Sequence, residues 1–224
     1  MKPLLVFDMD GVLVDVTESY RESIQQTVKH FVGVAPTREQ IQEFKNQGGW
    51  NDDWKLSHHI ITGVGVNVDF ETVKEYFQSI FLGNGHDGLI LREEWVARPG
   101  VLEALHEQFD FALFTGRPLA DAKLTLDRFA AAFTFAPQIG MYEVRQHKPH
   151  PEGLLLAAGD SGRKVFYVGD TVDDARCAHA AGIPFIGIAA PANPLYVDLV
   201  FLFQQEGAYA IVDDINYLSE VFAS

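Results

Sequence analysis

The chain is 224 residues long and carries 17 Lys and Arg against 31 Asp and Glu, a formal charge of −14. That length suits one to two domains, and an apolar fraction of 47% excludes wholesale disorder. The net negative charge argues against non-specific nucleic-acid binding and against docking on anionic membranes, while the single cysteine, Cys177, leaves no disulfide framework or Cys-rich zinc site. Met1-Lys2-Pro3 is followed by only four apolar residues before Asp8, too few for a signal-peptide core, and no apolar run is long enough to span a bilayer. A cytoplasmic protein, monomeric or homodimeric, is expected.

Leu4–Phe7 is a continuous apolar run ending at Asp8, the pattern of a strand buried on both faces. Over residues 15–95 helical spacing replaces strand signals. Tyr20, Ile24, Val28 and Phe31 form one stripe. Thr37-Arg38-Glu39-Gln40 reads as a capping box before Ile41 and Phe44. Residues 45–55, with Gly48, Gly49, Trp50, Asn51 and Trp54, read as a turn. His58 and His59 are neighbours on a helix, do not share a face, and read as structural or solvated. Phe70, Val73, Phe77 and Ile80 make a further stripe, closed by Gly83.

Beyond residue 100 the pattern alternates. A helix carrying Val101, Leu102, Leu105 and Phe109 leads to an apolar run, Phe111–Phe114, before Thr115. A helix with Leu119, Ala122, Leu126 and Phe129 follows. Further apolar runs occupy residues 165–168, 184–188 and 208–212, with a helix over 173–181 ended by Gly182. Ile215, Leu218 and Val221 close the chain, capped by Asp214. Strands alternating with helices predict an α/β fold with a Rossmann-like parallel sheet. The helical stretch is then an inserted cap domain, residues 15–96, joined by linkers near 14–17 and 92–99 to a core of residues 1–14 plus 97–224.

Each chemistry-bearing segment follows a predicted strand, at the sheet edge where α/β proteins bind ligands. Asp8-Met9-Asp10-Gly11 puts two carboxylates two residues apart, and a divalent cation would relieve their repulsion. Gly169-Asp170-Thr171-Val172-Asp173-Asp174 adds acids at the start of a helix. Asp8, Asp10 and Asp170 make an oxygen-ligand set suited to Mg²⁺. Thr115-Gly116-Arg117 offers a hydroxyl, a free backbone N–H and a guanidinium for phosphate oxygens. Lys148, after His147, supplies a cation beside the acids.

These four segments, in this order, resemble the haloacid dehalogenase superfamily of aspartate-nucleophile phosphohydrolases. The insert resembles the helical cap of the subfamily that includes phosphoglycolate phosphatases and β-phosphoglucomutases. The resemblance implies that Asp8 is the nucleophile and Asp10 the general acid and base. Thr115 and the Gly116 N–H would bind the phosphoryl group, and Lys148 would pair with Asp8. Mg²⁺ would be held by Asp8, the Asp10 carbonyl and Asp170, with Asp174 close by or acting through water. Asp10 separates this chain from the dehalogenating members, which lack it. Phosphonate-cleaving members use a cap lysine, for which Lys29, Lys45, Lys55 and Lys74 are candidates. The mutases carry a histidine where this chain has Tyr20.

The expected substrate is a small soluble phosphate ester. Trp50, Asn51 and Trp54 are the candidate cap contacts, and Arg98 and Arg117 the candidate contacts to an anionic group. The Gly-Gly-Trp-Asn cap and Ser19-Tyr20-Arg21 look similar to a branch with relatives linked to histidine biosynthesis, which adds histidinol phosphate to phosphoglycolate and sugar phosphates. A response-regulator receiver also gathers acids, a hydroxyl and a lysine at a sheet edge, but is about half this length and lacks a helical insert. A degenerate, non-catalytic binding protein is disfavoured because every expected catalytic position is filled.

Overall fold

Alternation within the first apolar run decides how the core divides. Leu4 and Val6 point to one face of a sheet, Leu5 and Phe7 to the other, and all four are fully buried. This run is β1 (Leu4–Phe7), the interior strand of a six-stranded parallel sheet in a computed structural model that describes residues 1–160 and 162–223. The other strands are β4 (Asp110–Phe114), β5 (Phe135–Ile139), β6 (Val165–Gly169), β7 (Phe185–Ile188) and β8 (Ala210–Val212). Their spatial order is β5-β4-β1-β6-β7-β8, every neighbour parallel. The chain moves to one side of β1 for β4 and to the other for β6, so a crevice opens beyond the C-terminal end of β1.

Helices cover both faces. One layer holds α7 (Glu152–Ala158), α8 (Val172–Ala181) and α9 (Tyr196–Gln205), against Leu4, Val6, Ala112, Phe114 and Tyr167. The other holds α5 (Val101–Gln108), α6 (Leu119–Phe129) and α10 (Leu218–Phe222), against Leu5, Phe7, Phe111, Leu113 and Phe166. On that second face Phe7 meets Phe111 edge-on at 5.2 Å and Phe135 at 6.1 Å. Gly182 ends α8 in the left-handed conformation, and the Asp214 side chain accepts from the Asn216 N–H, as their positions predict.

The insert is a helical cap: a π-helical turn at Thr17–Arg21 running into α1 (Glu22–Val32), then α2 (Arg38–Gln47), α3 (Asp53–Gly63) and α4 (Phe70–Leu82). Thr37 and Gln40 form the expected reciprocal capping box. Val73, Phe77 and Phe81 are the buried stripe of α4, with Phe81 rather than Ile80 in the core because the helix presents every fourth residue inward here. The linkers pair with each other. β2 (Val14–Asp15) and β3 (Glu94–Trp95) form a short antiparallel ribbon, and the Val96 N–H adds a bond to the Leu13 carbonyl. The cap core continues through Val12–Val16 into the α5, α6 and α10 face.

Some elements go beyond the sequence reading. β5 is an edge strand with three exposed residues and Pro137 inside it, so it lacks an apolar run. α7 and α9 appear where no helix is read from the sequence, and α3, which carries His58 and His59, begins earlier, at Asp53, inside the expected turn. Asp52 caps α3 by accepting from the N–H groups of Trp54 and Lys55, which turns the expected loop into a helix start. No helix among the described residues is long and apolar enough to cross a membrane.

Phe7→Ala should cost about 3–5 kcal/mol of stability, since it empties a fully enclosed aromatic site. Urea unfolding followed by circular dichroism measures this, and a loss below about 1 kcal/mol would mean that the neighbouring rings collapse into the space.

Candidate active site

Three adjacent strands and one loop deliver the reactive side chains. Asp8 follows β1, its N–H still bonded to the Val168 carbonyl of β6. Thr115 follows β4 and Asp170 follows β6. Lys148 arrives on the loop between β5 and α7. Gly11 turns the chain after Asp10 with φ of +69°, and a Cβ there would run into the Asp170 carboxylate. Only glycine satisfies both demands.

The centre is a buried charge cluster. Lys148 Nζ lies 3.0 Å from Asp8 Oδ1 and 2.8 Å from Asp174 Oδ1, and sits 4.7 Å above the Phe114 ring. Asp174 also accepts from the Tyr167 hydroxyl at 2.6 Å and from the Thr171 hydroxyl and N–H. Asp8, Asp170 and Asp174 each offer an oxygen within 4.8 Å of the others. Asp170 Oδ1 is buried with no hydrogen-bond partner.

One ammonium does not balance these acids. Burial, helped by Asp174 and Asp10 and opposed by Lys148, pushes the Asp8 carboxyl up to about 7. Burial, with Asp174 and Asp8 beside it, raises Asp170 well above the carboxylate range. For Asp174 burial acts upward too, but Lys148, Thr171 and Tyr167 outweigh it and hold the group low. Burial alone would lower Lys148, yet Asp174 and Asp8 raise it, so it stays an ammonium. An orphaned carboxylate oxygen in a cluster short of positive charge fits a divalent cation.

Asp10 stands apart from that triad. Its Oδ1 accepts from Arg117 Nε at 2.7 Å and also contacts Nη2. Thr115 is buried and its Oγ1 accepts from the Arg117 N–H at 3.2 Å. Gly116 lies directly under Asn51, where a Cβ would strike the amide nitrogen. The cap is therefore closed on the site. A second contact reinforces closure: the Gly49 N–H donates to both Asp173 oxygens at 2.8 and 2.9 Å, and Arg176 donates to the Gln47 carbonyl.

The structure gathers Asp8, Thr115, Gly116, Lys148, Asp170 and Asp174, with Asp10, Asn51 and Trp54 bordering the same space. A narrow cavity beside Asp10 is lined by Tyr20, Asn51, Trp54, Arg117 and Met141. Three of the expected substrate contacts differ. Trp50 packs on Phe44 and His59 within the cap, because its ring turns toward the α2–α3 interface. Arg98 is exposed on the return linker, its N–H bonded to Asn216, and borders none of the cavities found at the sheet edge. Arg117 is 1% exposed and spends its donors inside the protein.

Sequence reasoning gave no role at the site to Arg21, Asp53 and Glu93, and read Lys45 only as a possible amine catalyst. Lys45 is buried and ion-paired with Asp53, with Arg21 3.9 Å from the same carboxylate, and all three line a cavity with Asp8 and Asp170. Their one signal was charge placed between apolar helix positions. His58 is structural, bonded to the Val68 carbonyl.

Comparison with known proteins agrees with this geometry. The family model for haloacid dehalogenase-like hydrolases matches residues 5–188. An Escherichia coli protein named phosphoglycolate phosphatase is 31% identical over 230 residues, covering 94% of this chain and 90% of its own length. A Phytophthora nicotianae protein named imidazoleglycerol-phosphate dehydratase is 34% identical over 197 residues. That match covers 84% of this chain but only 43% of the relative, so the chain spans less than half of it. A Bacteroides fragilis crystal structure, described as a haloacid dehalogenase-like hydrolase, superposes with a TM-score of 0.76 at 19% identity, covering 97% of this chain and all of that one. The chain belongs to the haloacid dehalogenase-like hydrolase family. Within it, the protein is an enzyme of the phosphohydrolase kind.

A proton and a cation should compete for this cluster. Asp8 sits at about 7 in the fold against an ordinary 3.8, so the fold favours its protonated form. That stabilisation is complete below the ordinary value and is lost as pH rises through about 7. Added Mg²⁺ should therefore raise the Tm little near about pH 5 and markedly more near about pH 8. Equal shifts at both pH values would place cation binding away from Asp8 and Asp170.

Proposed function

We propose that the protein is a Mg²⁺-dependent phosphatase that hydrolyses a small phosphate monoester through an aspartyl-phosphate on Asp8. The observation that carries this reading is the convergence of Asp8, Lys148, Asp170 and Asp174 at one sheet edge beside Thr115 and Gly116.

Asp8 Oδ1 is occupied by the Met9 N–H and faces Lys148, which leaves Oδ2 to attack phosphorus. The Oδ2–P bond forms as the bond from phosphorus to the ester oxygen breaks. Asp10 gives that oxygen a proton. It then takes one from the water that attacks the aspartyl-phosphate, releasing phosphate and restoring Asp8. Lys148 offsets the repulsion between carboxylate and phosphate and steadies the charge on the transferring group. Thr115 and the Gly116 N–H hold phosphoryl oxygens. Asp8, Asp170 and Asp174, with the main-chain carbonyl of Asp10, would hold Mg²⁺. When bound, the ion supplies Lewis acidity and neutralises the phosphoryl oxygens.

With the cap closed, only a narrow space remains beside Asp10, which supports a small leaving group. Tyr20 and Trp54 border it, and the Tyr20 hydroxyl and Trp54 Nε1–H, buried without a partner among the described residues, are candidate donors to that group. Asn51 reaches toward the phosphoryl side. Phosphoglycolate, a sugar phosphate and histidinol phosphate all meet these demands; relatives bearing the phosphoglycolate phosphatase name support the first. Phosphonate cleavage through an amine is disfavoured by one contact. Among the four cap lysines, Lys45 alone borders the cavities at the sheet edge, and there its Nζ is directed onto the Asp53 carboxylate rather than into the ligand space.

The test is a phosphate-release screen over these esters and nucleotides with Mg²⁺, using Asp8→Asn as the blank. Asp8→Asn should fall by on the order of 10⁴-fold or more while keeping the wild-type Tm within a few degrees. EDTA should abolish turnover, and Ca²⁺ should bind without restoring it, because its looser coordination misplaces the nucleophile. Release that survives in Asp8→Asn would overturn the nucleophile assignment.

A further inference from the structure

Arg117 reads from the sequence as a substrate contact, yet its side chain is enclosed. Nε donates to Asp10 Oδ1 at 2.7 Å, and Nη2 reaches that same oxygen and Glu93 Oε1 at 2.7 Å. Nη1 donates to the Thr125 hydroxyl at 3.1 Å, and that hydroxyl donates onward to Glu93 Oε2 at 2.6 Å. The Tyr20 ring covers the guanidinium at 4.6 Å. All three guanidinium nitrogens thus bond protein groups.

Two features give this network a meaning beyond packing. First, both contacts to Asp10 fall on Oδ1. Among the described residues no group bonds Oδ2, while Asp10 borders both the leaving-group cavity and the acidic cavity. A planar fork on one oxygen fixes the carboxylate plane and leaves the other oxygen exposed to the ligand space. Second, apart from Thr125 on α6, the remaining partners come from where the chain enters and leaves the cap. Glu93 immediately precedes β3 on the return path, and Tyr20 lies in the π-helical turn that follows β2 on the outward path.

We propose that Arg117 is a positioning residue for Asp10: it clamps Oδ1 so that Oδ2 faces the leaving oxygen, and through Glu93 it makes that alignment depend on the seated cap linkers. This rests on the phosphatase reading of Asp10 as the group that protonates the leaving oxygen. An orphaned Asp10 would rotate freely among its rotamers. A misplaced acid hurts esters whose leaving group needs a proton and spares those whose leaving group departs as a stable anion.

The experiment compares an alkyl phosphate with an activated aryl phosphate, with Mg²⁺ present. The variants are Arg117→Lys, Glu93→Gln, the paired Arg117→Met/Glu93→Gln, and Asp10→Asn. Replacing Arg117 alone by an apolar residue would strand Glu93 in the interior, so the paired variant removes both charges together, and a thermal melt verifies its fold. For the paired variant kcat on the alkyl ester should drop by about 10²-fold, and kcat on the aryl ester by less than about tenfold, with KM changed little on either. Arg117→Lys keeps the charge but not the fork and should lose less. Glu93→Gln, which touches no substrate, should show the same leaving-group bias in weaker form.

A raised KM with kcat retained would make Arg117 a substrate contact and overturn the proposal. Equal kcat losses on both esters would reduce the network to a structural one and overturn it as well. Asp10→Asn separates the two readings. If that variant shows no bias against the alkyl ester, the acid role of Asp10 fails. If it shows the bias and the Arg117 variants do not, only the positioning role fails.

Discussion

Everything at the sheet edge depends on one buried ammonium held between two carboxylates. Lys148 contacts Asp8 and Asp174 where almost no water reaches, and Asp170 Oδ1 has no hydrogen-bond partner among the described residues. Charges this deep cannot be left unpaired, so the surrounding fold is arranged to supply partners. Tyr167 and Thr171 hold Asp174, Phe114 and Tyr167 stack beneath Lys148, and the Met9 N–H fixes Asp8. The shortfall of positive charge that remains is what a bound cation would make good. A site that is electrostatically complete without ligand would have little reason to bind one.

The rigid part of that arrangement is the parallel sheet. Because β4, β1 and β6 are neighbours, Thr115, Asp8 and Asp170 emerge side by side although they are distant in sequence. Two separate apolar layers, one for each set of inward side chains, hold the strands in register. The apolar core of the cap joins only one of these layers, while polar contacts from Gln47 and Gly49 reach α8 of the other. Asn51, Gly49 and Tyr20 then complete from the cap what the strand ends begin.

Much of this is legible in the sequence, and the exceptions have physical causes. Interior strands such as Leu4–Phe7 are buried on both faces and read as apolar runs, so the acids after them stand out. β5 is an edge strand open to solvent along most of its length and carries no such run. The start of α3 is hidden because it lies in a polar, glycine-led stretch whose order comes from the Asp52 cap. Arg117 is the instructive failure. A guanidinium after Thr-Gly suggests an anion outside the protein, and only the fold reveals that Glu93, 24 residues earlier in the chain, meets it inside. Pairings between distant charges leave no periodic trace. Trp50 is similar: an aromatic beside two glycines suits either a ligand or a helix neighbour, and packing against Phe44 decides it.

The ribbon formed by β2 and β3 has a structural corollary. The chain leaves the core and returns to it along one paired stalk, Val14 opposite Trp95 and Asp15 opposite Glu94. The helical insert is thus attached at a single point of the core's surface, like a module on a stem, and its length places no demand on sheet order. An exchange of caps between related cores would leave the strands undisturbed. It would not be free of constraint, however. Tyr20 and Glu93 flank the cap end of the stem, and these two grip the arginine beside the acid. A transplanted cap would have to bring equivalents of both, so the natural unit of exchange is the helices together with the residues that join them to the stem.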